Sequence, residues 1–579
     1  MPRIVPIVPH TLPVLRRLRR PVVAGFLALF VFAWFGTLGY RELFVPDEGR
    51  YAEIPREMAA GGDWVVPHLN GLPYLEKPPL QYWASAAIFR LLGEDEWTAR
   101  LWPALTGAAG VLAVLFAGTR LFGRRAGLLA ALLAASTFEY VVLSQVLTLD
   151  MGLAFFLSAA VFCFLLAQRA GVDERRAWMI GAWALMGLAV LSKGLIGVVL
   201  PALALIAYIA VERDAAVLGR LHSAAGISVL LVVTVPWFVA VQTRVPEFFD
   251  FFVLHEHFAR YALPTHHRPG PWYYFAAMVA IGALPWTPLY LRAWRHGLAP
   301  AAAPGARPFD AGRFLALYAL VVLVFFSLSE SKLPAYILPV FPALALLGGR
   351  ELARGGTRAA RWAIGSLLVC AALLAFAAGV APDLARLADA ASHLRQYRPW
   401  ALCAAVLAGA AALLAHRLLR KRRRLRALVT VTAAALGAHL LLVNGAQVFA
   451  DRFSAKRLVL AAEWRAGGAL DPTVPFYSVE LYDQTLPLHL GRTVTLVAFR
   501  DELDLGLRAR PEGAVSDLDT FRRAWRDARH AYAVMRPARF AAERAAGLPM
   551  TELARDTRYV IVSRSETPRA QSPRRSTVW

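Results

Sequence analysis

The stretch from Pro46 to Lys77 groups acids, cations and aromatic residues within a short distance in sequence. Asp47, Arg50 and Tyr51 fall within one helical turn, so a helix would present them side by side. A cluster of both charge signs directly after an apolar segment is costly against a bilayer unless it is used. The cluster therefore predicts a site, and an interfacial amphipathic helix with aromatic anchors is the alternative.

Three more charged residues stand alone between apolar runs. Asp150 lies in the segment LTLDM, and an isolated acid there should face a cavity or a partner. The alternative is an ordinary helix N-cap, a position that favours aspartate. Lys193 and Lys332 either extend to the membrane interface or bind a phosphate group, and Tyr336 lies one helical turn after Lys332.

The polar segment 243–271 contributes Arg260, Arg268 and several histidines between residues 255 and 267. Guanidinium groups bind phosphate in a bidentate manner, which makes the two arginines candidate anion contacts. The histidines could bind a metal, but their spacing lacks the signature of a zinc-binding helix and no cysteine joins them. Anion binding is therefore the preferred interpretation of this segment.

The acids and cations together indicate one kind of chemistry. A cation-rich cavity at the height of the lipid headgroups suits a substrate with a lipid tail and a phosphate head. The carboxylates of Asp47 and Asp150 suit the activation of an alcohol or the orientation of a polar acceptor. The predicted substrate is thus a lipid-linked phosphate compound.

The elements that must position these residues are membrane helices. The chain has 579 residues, of which 58% are hydrophobic and only 18% charged. Apolar runs of roughly 18 or more residues mark transmembrane helices, and they predict about 13 spans. The predicted spans lie near residues 22–40, 99–119, 126–145, 149–168, 178–192, 195–211, 224–242, 272–293, 313–328, 334–349, 362–380, 400–418 and 427–448.

The net charge of +23 does not predict a nucleic-acid partner, because the arginine clusters fall between the apolar runs. These clusters lie on one side of the membrane if the N-terminus is cytoplasmic, in agreement with the positive-inside rule. An odd number of spans then puts the C-terminus on the outer side. The loop 41–98 and the turns at Asp150, Lys193 and Lys332 share that side, so the active face is predicted to look outward.

From about residue 451 the composition changes to that of a small soluble α/β domain. The sequence thus predicts a membrane unit, 1–450, and a soluble unit, 451–579, with a disordered tail at 572–579. The runs that favour strands are 475–479, 493–497, 532–535 and 559–563, and those that favour helices are 521–530 and 537–546.

Recognisable motifs are spread over most of the chain. They are PDEGRYAEIPREMAAGGDWVVPHLNGLPYLEKPPLQYW (46–83), TLDMGLAFF (148–156), LSKGLIGVVLP (191–201), HRPGPWYYF (267–275), FFSLSESKLPAYILPVFPALALL (325–347) and VELYDQTLPLHLGRTVTLV (479–497). With these motifs the chain resembles the lipid A aminoarabinose transferase family. That family belongs to the protein O-mannosyltransferase-like group of polyprenyl-phosphate-sugar glycosyltransferases.

The resemblance implies an all-α polytopic membrane protein of the GT-C type with about 13 transmembrane helices and a small C-terminal periplasmic α/β domain. It implies an undecaprenyl-phosphate-linked sugar, 4-amino-4-deoxy-L-arabinose, as donor and a phosphate of lipid A as acceptor, at the bacterial inner membrane. By motif position Asp47 is the principal catalytic acid and Asp150 a second one. The residues expected to bind carrier and phosphate are Arg50, Tyr51, Tyr74, Glu76, Lys77, Lys193, Arg268, Lys332 and Tyr336, and the residue pattern adds Arg260.

The role of Asp47 depends on the acceptor. Attack on the anomeric carbon from the face opposite the leaving phosphate predicts inversion. A lipid A phosphate is already anionic, so Asp47 would orient it or stabilise a cationic sugar ring, whereas a hydroxyl acceptor would need Asp47 as a base. Related enzymes place two acids side by side, and Asp47 with Glu48 fits that pattern superficially.

Two alternatives remain at this stage. The acceptor could be a protein hydroxyl or another glycan instead of lipid A. A transporter or flippase for lipid-linked sugars is the alternative of another class, and it predicts charges near the bilayer midplane and inverted repeats. The sequence requires no cofactor, leaves open a divalent metal at Glu76, and is expected to act as a monomer.

Overall fold

The structure is a computed structural model of the chain. The two arginines Arg260 and Arg268, the tail 572–579 and the start of the first predicted span lie outside the described residues. The described residues are 30–252, 270–299, 309–355, 357–384 and 388–564.

Helices dominate the structure up to residue 445, after a first helical segment at 30–35. They are α1 Asp47–Gly61, α2 Leu80–Leu92, α3 Glu96–Ala99, α4 Leu101–Phe122, α5 Arg124–Ala134, α6 Phe138–Ser144, α7 Asp150–Ala167, α8 Val172–Lys193, α9 Ile196–Glu212, α10 Ser223–Gln242, α11 Tyr274–Gly282, α12 Thr287–Leu298, α13 Ala311–Ser327, α14 Val340–Arg354, α15 Thr357–Leu384, α16 Ala388–Arg420 and α17 Arg424–Gly445.

Several of these helices are long and apolar enough to cross a membrane. By length and composition there are six within the described residues, or eight if each of two bent pairs forms one span. The predicted spans 126–145 and 272–293 are these pairs, with α5 and α6 bent by 64° and α11 and α12 by 117°. Pro285, between α11 and α12, has no amide hydrogen to continue a helix. Apolar composition alone does not reveal such bends.

The long helices differ in how much of their surface the protein covers. In α7 83% of the apolar window is buried, whereas α10 and α15 bury only 22% and 28% of theirs. The middle of the bundle is therefore α7, and the exposed apolar faces of α10 and α15 suit contact with lipid. The central position of α7 fixes the place of Asp150, its first residue.

The predicted outer loop 41–98 contains regular secondary structure. It comprises α1, a short antiparallel hairpin of β1 (His68–Leu69) and β2 (Leu72–Pro73), and the helices α2 and α3. Asp95 caps α3 by accepting a hydrogen bond from the Thr98 amide at 2.7 Å. This loop is consequently a folded platform for the charged residues that it carries.

The C-terminal part contains a six-stranded mixed sheet in the order β5-β4-β3-β6-β8-β7. The strands β5, β4, β3 and β6 are parallel, and β8 and β7 are added antiparallel. The predicted runs correspond to β3, β4, β6 and β8, whereas the two-residue β5 and the charged β7 were not predicted. The elements are α18 Ala450–Phe453, α19 Lys456–Ala466, β3 Phe476–Val479, α20 Leu486–Leu490, β4 Thr495–Val497, α21 Asp504–Ala509, β5 Ala514–Val515, α22 Leu518–Asp527, β6 Tyr532–Met535, α23 Pro537–Ala545, β7 Thr551–Arg555 and β8 Val560–Ser563.

The C-terminal part packs directly on the outer loop. The side-chain amide of Asn70 donates to the carbonyl of Val494 and accepts from its amide, both at 2.8 Å. A Cβ on Gly49 would lie 2.7 Å from the carbonyl carbon of Gln484, so only glycine allows this close approach. The two parts therefore share one hydrophobic core around Tyr51 and Leu486.

Candidate active site

Asp47 stands at the start of α1 with an open carboxylate. Its side chain is 48% exposed. One oxygen, Oδ1, accepts a hydrogen bond from Nη1 of Arg50 at 3.0 Å, one helical turn later. A half-exposed acid held by one guanidinium leaves room for a substrate group.

Arg50 links this acid to the C-terminal part. Its other terminal nitrogen, Nη2, forms an ion pair with Glu502, and its guanidinium lies 5.8 Å and 5.9 Å from the ring centres of Tyr51 and Tyr74. Burial would lower the pKa of Arg50, but nearby acids, among them Glu502 and Glu76, outweigh burial and raise it. Arg50 therefore stays charged and holds the Asp47 carboxylate in place.

Glu48, the neighbour of Asp47, is enclosed by two arginines. Its carboxylate accepts from Arg41 at 2.6 and 2.9 Å and from Arg100 at 2.8 and 3.1 Å. Burial alone would raise the pKa of Glu48, but Arg100 and Arg41 lower it to about 2. With 3% exposure and both oxygens occupied, Glu48 has no access to a substrate. The superficial two-acid motif thus separates into one open and one enclosed acid.

Asp150 forms a second ion pair in the bundle. Its Oδ1 contacts Nζ of Lys193, and that ammonium lies 4.7 Å from the ring centre of Tyr336. The N-cap alternative is wrong, because Leu149 occupies the cap and makes no side-chain cap bond. The structure thus brings together three predicted site residues from three separate segments.

The turn before Asp150 is tied to α1. The amide of Leu147 donates to Oε1 of Glu48 at 3.1 Å. Thr148 and Asp47 line the same cavity of about 560 Å³. Glu48 therefore holds the start of α1 and the start of α7 at the same end of the bundle.

That cavity is apolar on the side away from Asp47. Helices α6, α15, α16 and α17 contribute its walls. A hydrocarbon chain could lie there with its polar end at the carboxylate of Asp47. The apolar and aromatic lining residues are Phe44, Val45, Pro46, Phe138, Val142, Val146, Leu374, Tyr397, Leu442, Val443 and Ala446.

Tyr51, Tyr74 and Tyr82 form a buried aromatic floor under Arg50. The rings of Tyr51 and Tyr82 lie 6.2 Å apart. Burial raises the pKa of all three phenols, and nearby acids add to the effect, so the hydroxyls stay protonated. The hydroxyl of Tyr74 is buried without a hydrogen-bond partner within the described ranges, so it offers a donor to a bound group.

Glu76 and Lys77 lie beside this floor. Nζ of Lys77 donates to the Glu76 carbonyl at 2.8 Å and lies 3.7 Å from its carboxylate. No group of three or more His, Cys, Asp or Glu that could hold a metal occurs in the described part of the chain. A metal at Glu76 stays a prediction, since the four histidines His255, His257, His266 and His267 lie outside that part.

Lys332 differs from Arg50 and Lys193 in that it contacts a backbone carbonyl and forms no ion pair with a described residue. Its Nζ donates to the Ser329 carbonyl at 2.6 Å, and its side chain borders Gly270. Arg260 and Arg268 belong to the residues that are not described, so their predicted phosphate contacts stay predictions.

Three features of this region were missed in the sequence. Glu502 lies in an ordinary polar stretch and gives no local signal. Arg100, which encloses Glu48, lies inside the predicted span 99–119 and was assigned no role. Glu139, in the predicted span 126–145, is 8% exposed with Oε1 unpartnered among the described residues. An acid inside an apolar run is the signal that would have found Glu139.

Comparison with protein families gives two matches. Residues 464–564 match the aminoarabinose transferase C-terminal domain. Residues 22–252 match the dolichyl-phosphate-mannose-protein mannosyltransferase family. The two matches fall on the C-terminal part with the sheet and on the first half of the helical part.

Curated relatives and solved structures agree with these matches. The undecaprenyl phosphate-α-4-amino-4-deoxy-L-arabinose arabinosyl transferase of Pseudomonas aeruginosa PAO1 is 32% identical over 535 residues, which cover 86% of this chain and 93% of that protein. The transferase of the same name from Pseudomonas paraeruginosa is 36% identical over 62% of this chain and 65% of its own length.

The crystal structure of ArnT from Cupriavidus metallidurans bound to undecaprenyl phosphate superposes with a TM-score of 0.89 and 36% identity, covering 95% of this chain and 99% of that one. Its apo structure gives a TM-score of 0.84 with the same identity. The likeness therefore extends over both the helical bundle and the C-terminal sheet. This chain belongs to the family of the undecaprenyl phosphate-aminoarabinose arabinosyl transferases, and it is a multi-pass membrane glycosyltransferase of the GT-C type.

Proposed function

We propose that this chain transfers 4-amino-4-deoxy-L-arabinose from undecaprenyl phosphate to a phosphate of lipid A on the periplasmic face of the inner membrane. One observation carries the proposal: Asp47 has an open carboxylate at the rim of an apolar cavity, with Arg50 fixed against it. The names of the relatives supply the sugar and the carrier.

The transfer breaks the bond between the anomeric carbon and the carrier phosphate. An oxygen of the acceptor phosphate forms the new bond from the opposite face, so the anomeric configuration inverts. Asp47 orients the acceptor or stabilises the positive charge that develops on the sugar ring, and an anionic acceptor needs no base. The bond electrons leave with the carrier phosphate, which gains negative charge.

Cations stabilise that charge in the proposed reaction. Lys193 and Lys77 are the phosphate contacts, with Arg260, Arg268 and Lys332 as further predicted ones. Arg50 bridges two carboxylates, those of Asp47 and Glu502, whereas Lys193 forms an ion pair with one, so the proposed task of Arg50 is to hold Asp47 in place. Preorganised cations of this kind lower the barrier because they need no rearrangement during the reaction.

The proposal is tested by mass spectrometry of lipid A from cells that lack their own transferase. Cells with the wild-type chain should carry aminoarabinose on lipid A, and cells with Asp47→Asn should not. The matched control Asp519→Asn changes an exposed acid of the C-terminal sheet domain and should behave as the wild type. Unmodified lipid A with the wild-type chain inserted would refute the acceptor, and labelled protein or glycan would identify another.

We further propose the orientation and division of the chain. Residues 1–450 form the transferase unit with a cytoplasmic N-terminus, and 451–579 form a periplasmic unit that covers the site of a monomeric enzyme. The contact of Glu502 with Arg50 supports this arrangement, because it requires both parts on one side. A reporter enzyme active only in the periplasm, fused after the last residue, should be active. An inactive fusion of a functional chain would refute the orientation.

A further inference from the structure

A second cavity, of about 530 Å³, lies at the far end of the helices that carry the candidate site. The helix α7 begins at Asp150 and runs toward Arg169, and α14 begins near Tyr336 and ends at Arg354. Both Arg169 and Arg354 line this second cavity. Since an 18-residue helix spans about 27 Å, the cavity lies at the opposite interface of a bilayer whose core is about 30 Å thick.

The acids in this cavity are already engaged. Glu212 accepts from Nε of Arg313 at 2.6 Å. Glu351 accepts from Nε of Arg292 at 2.7 Å and contacts His296 at 3.1 Å. Within the described residues, these carboxylates therefore form no ion pair with Arg169, Arg350 or Arg354.

Asp310 is the remaining acid, and its carboxylate caps α13. Its Oδ1 accepts from the Gly312 amide at 2.8 Å and lies 3.9 Å from Nη1 of Arg350. This carboxylate already accepts hydrogen bonds from backbone amides, and it is too far from Arg350 for a hydrogen bond. It therefore balances the charge of Arg350 only in part.

Three arginines that line the cavity have few hydrogen-bond partners among the described residues. Nε of Arg350 is buried without a partner in the described ranges, while its guanidinium packs on the ring of Phe122 at 5.2 Å. Neither Arg354 nor Arg169 forms an ion pair with a described residue, and Arg169 donates a hydrogen bond to the Leu121 carbonyl. Their fork of N–H donors matches the oxygens of a phosphate group.

We propose that this basic cavity, formed by Arg169, Arg350 and Arg354, binds the phosphate headgroup of an anionic phospholipid from the leaflet opposite the candidate active site. Its depth at the membrane interface favours a lipid over a soluble anion, because the acyl chains extend from that depth into the bilayer. Its guanidinium groups, which the carboxylates balance only in part, favour an anionic over a zwitterionic headgroup. The inference does not depend on the identity of the sugar or of its acceptor.

Native mass spectrometry of the purified full chain in detergent tests this site. The probes are phosphatidylglycerol, phosphatidylcholine and soluble glycerol phosphate. The variants are Arg354→Gln, which changes an exposed residue and should fold normally, and the double variant Arg350→Gln with Arg354→Gln. The matched control is Arg295→Gln, an exposed arginine of α12 at the same end of the bundle that does not line the cavity.

The wild-type chain and Arg295→Gln should retain one phosphatidylglycerol more tightly than phosphatidylcholine. The single variant should weaken this binding and the double variant should weaken it by about tenfold or more, since two charge-assisted contacts are lost. Equal phosphatidylglycerol binding by all four proteins would overturn the site. If glycerol phosphate displaces the lipid from the site at equal concentration, the site recognises a soluble phosphate and the lipid proposal is wrong.

Discussion

Asp47 and Glu48 are adjacent acids, yet their surroundings are opposite. Glu48 is buried and has both oxygens bonded to Arg41 and Arg100, whereas Asp47 is half exposed and has one arginine contact. The enclosed carboxylate stabilises the structure, and the open one is available to a substrate. Charge alone therefore does not distinguish a substrate-binding carboxylate from a structural one. What distinguishes them is whether the carboxylate oxygens are still free to accept hydrogen bonds.

The largest expected effect is on stability, from Glu48→Gln. A neutral amide would leave two buried guanidinium groups poorly compensated, which costs about 3–5 kcal/mol. Thermal unfolding of the purified protein should show a strongly lowered midpoint, while the exposed control Glu512→Gln should not. If Glu48→Gln instead keeps the wild-type unfolding midpoint and loses only sugar transfer, Glu48 takes part in the chemistry. The distinction between an enclosed structural acid and an open catalytic one would then be wrong.

The next effect is on activity, from Asp47→Asn. Loss of the open negative charge should reduce sugar transfer by about 100- to 1,000-fold. The unfolding midpoint should stay near that of the wild type, because the Asp47 side chain is half exposed and Arg50 keeps its ion pair with Glu502. Transfer from the labelled lipid-linked donor, measured beside thermal unfolding, would separate the two quantities. Full activity in Asp47→Asn would remove this residue from the site.

A smaller effect on activity is expected from Glu502→Gln, which removes the ion pair between Arg50 and the C-terminal part. Activity should fall by about tenfold, since Arg50 and through it Asp47 are less well positioned. In the double variant with Asp47→Asn the loss should be less than the product of the single losses, because both act through one contact. Independent, multiplicative losses would mean that Glu502 acts elsewhere.

The smallest effect concerns another acid on α1, Glu57. Its Oε2 accepts from the Gly71 amide at 2.9 Å, and Glu53, Arg56 and Tyr482 surround it. Burial, with Glu53 in support, raises the pKa of Glu57 from 4.5 to about 8. Between these values the folded protein keeps a proton that the unfolded chain has lost, so rising pH destabilises the fold.

Glu57→Gln should therefore flatten the decline of the unfolding midpoint between pH 5 and 8, with a gain of roughly 2–4 °C at the alkaline end. Melting curves of the wild type and of Glu512→Gln should keep the steeper decline. An identical slope in Glu57→Gln would show that this carboxyl is ionised in the folded protein. Glu57 would then resemble Glu48, and the comparison would gain a second enclosed anion.

Local patterns predicted the helical bundle and much of the sheet. Val560 to Val562 is a run of β-branched residues, and Asp150 begins a long apolar run, so propensity and hydropathy suffice for both. The roles of Asp47 and Glu48 depend on partners far away in sequence. Arg100 lies about 50 residues beyond Glu48, and Glu502 about 450 residues beyond Arg50. Local composition therefore does not reveal either of these two pairings.

The long separation of Arg50 and Glu502 has a consequence for biosynthesis. The first of the pair leaves the ribosome about 450 residues before the second. At about 5–20 residues per second, the wait is roughly 20–90 s. During that time α1 can already lie at the membrane surface, but Glu502, the ion-pair partner of Arg50, has not yet been made. A nascent chain, or one that ends before Glu502, would therefore lack the ion pair that positions Arg50 beside Asp47.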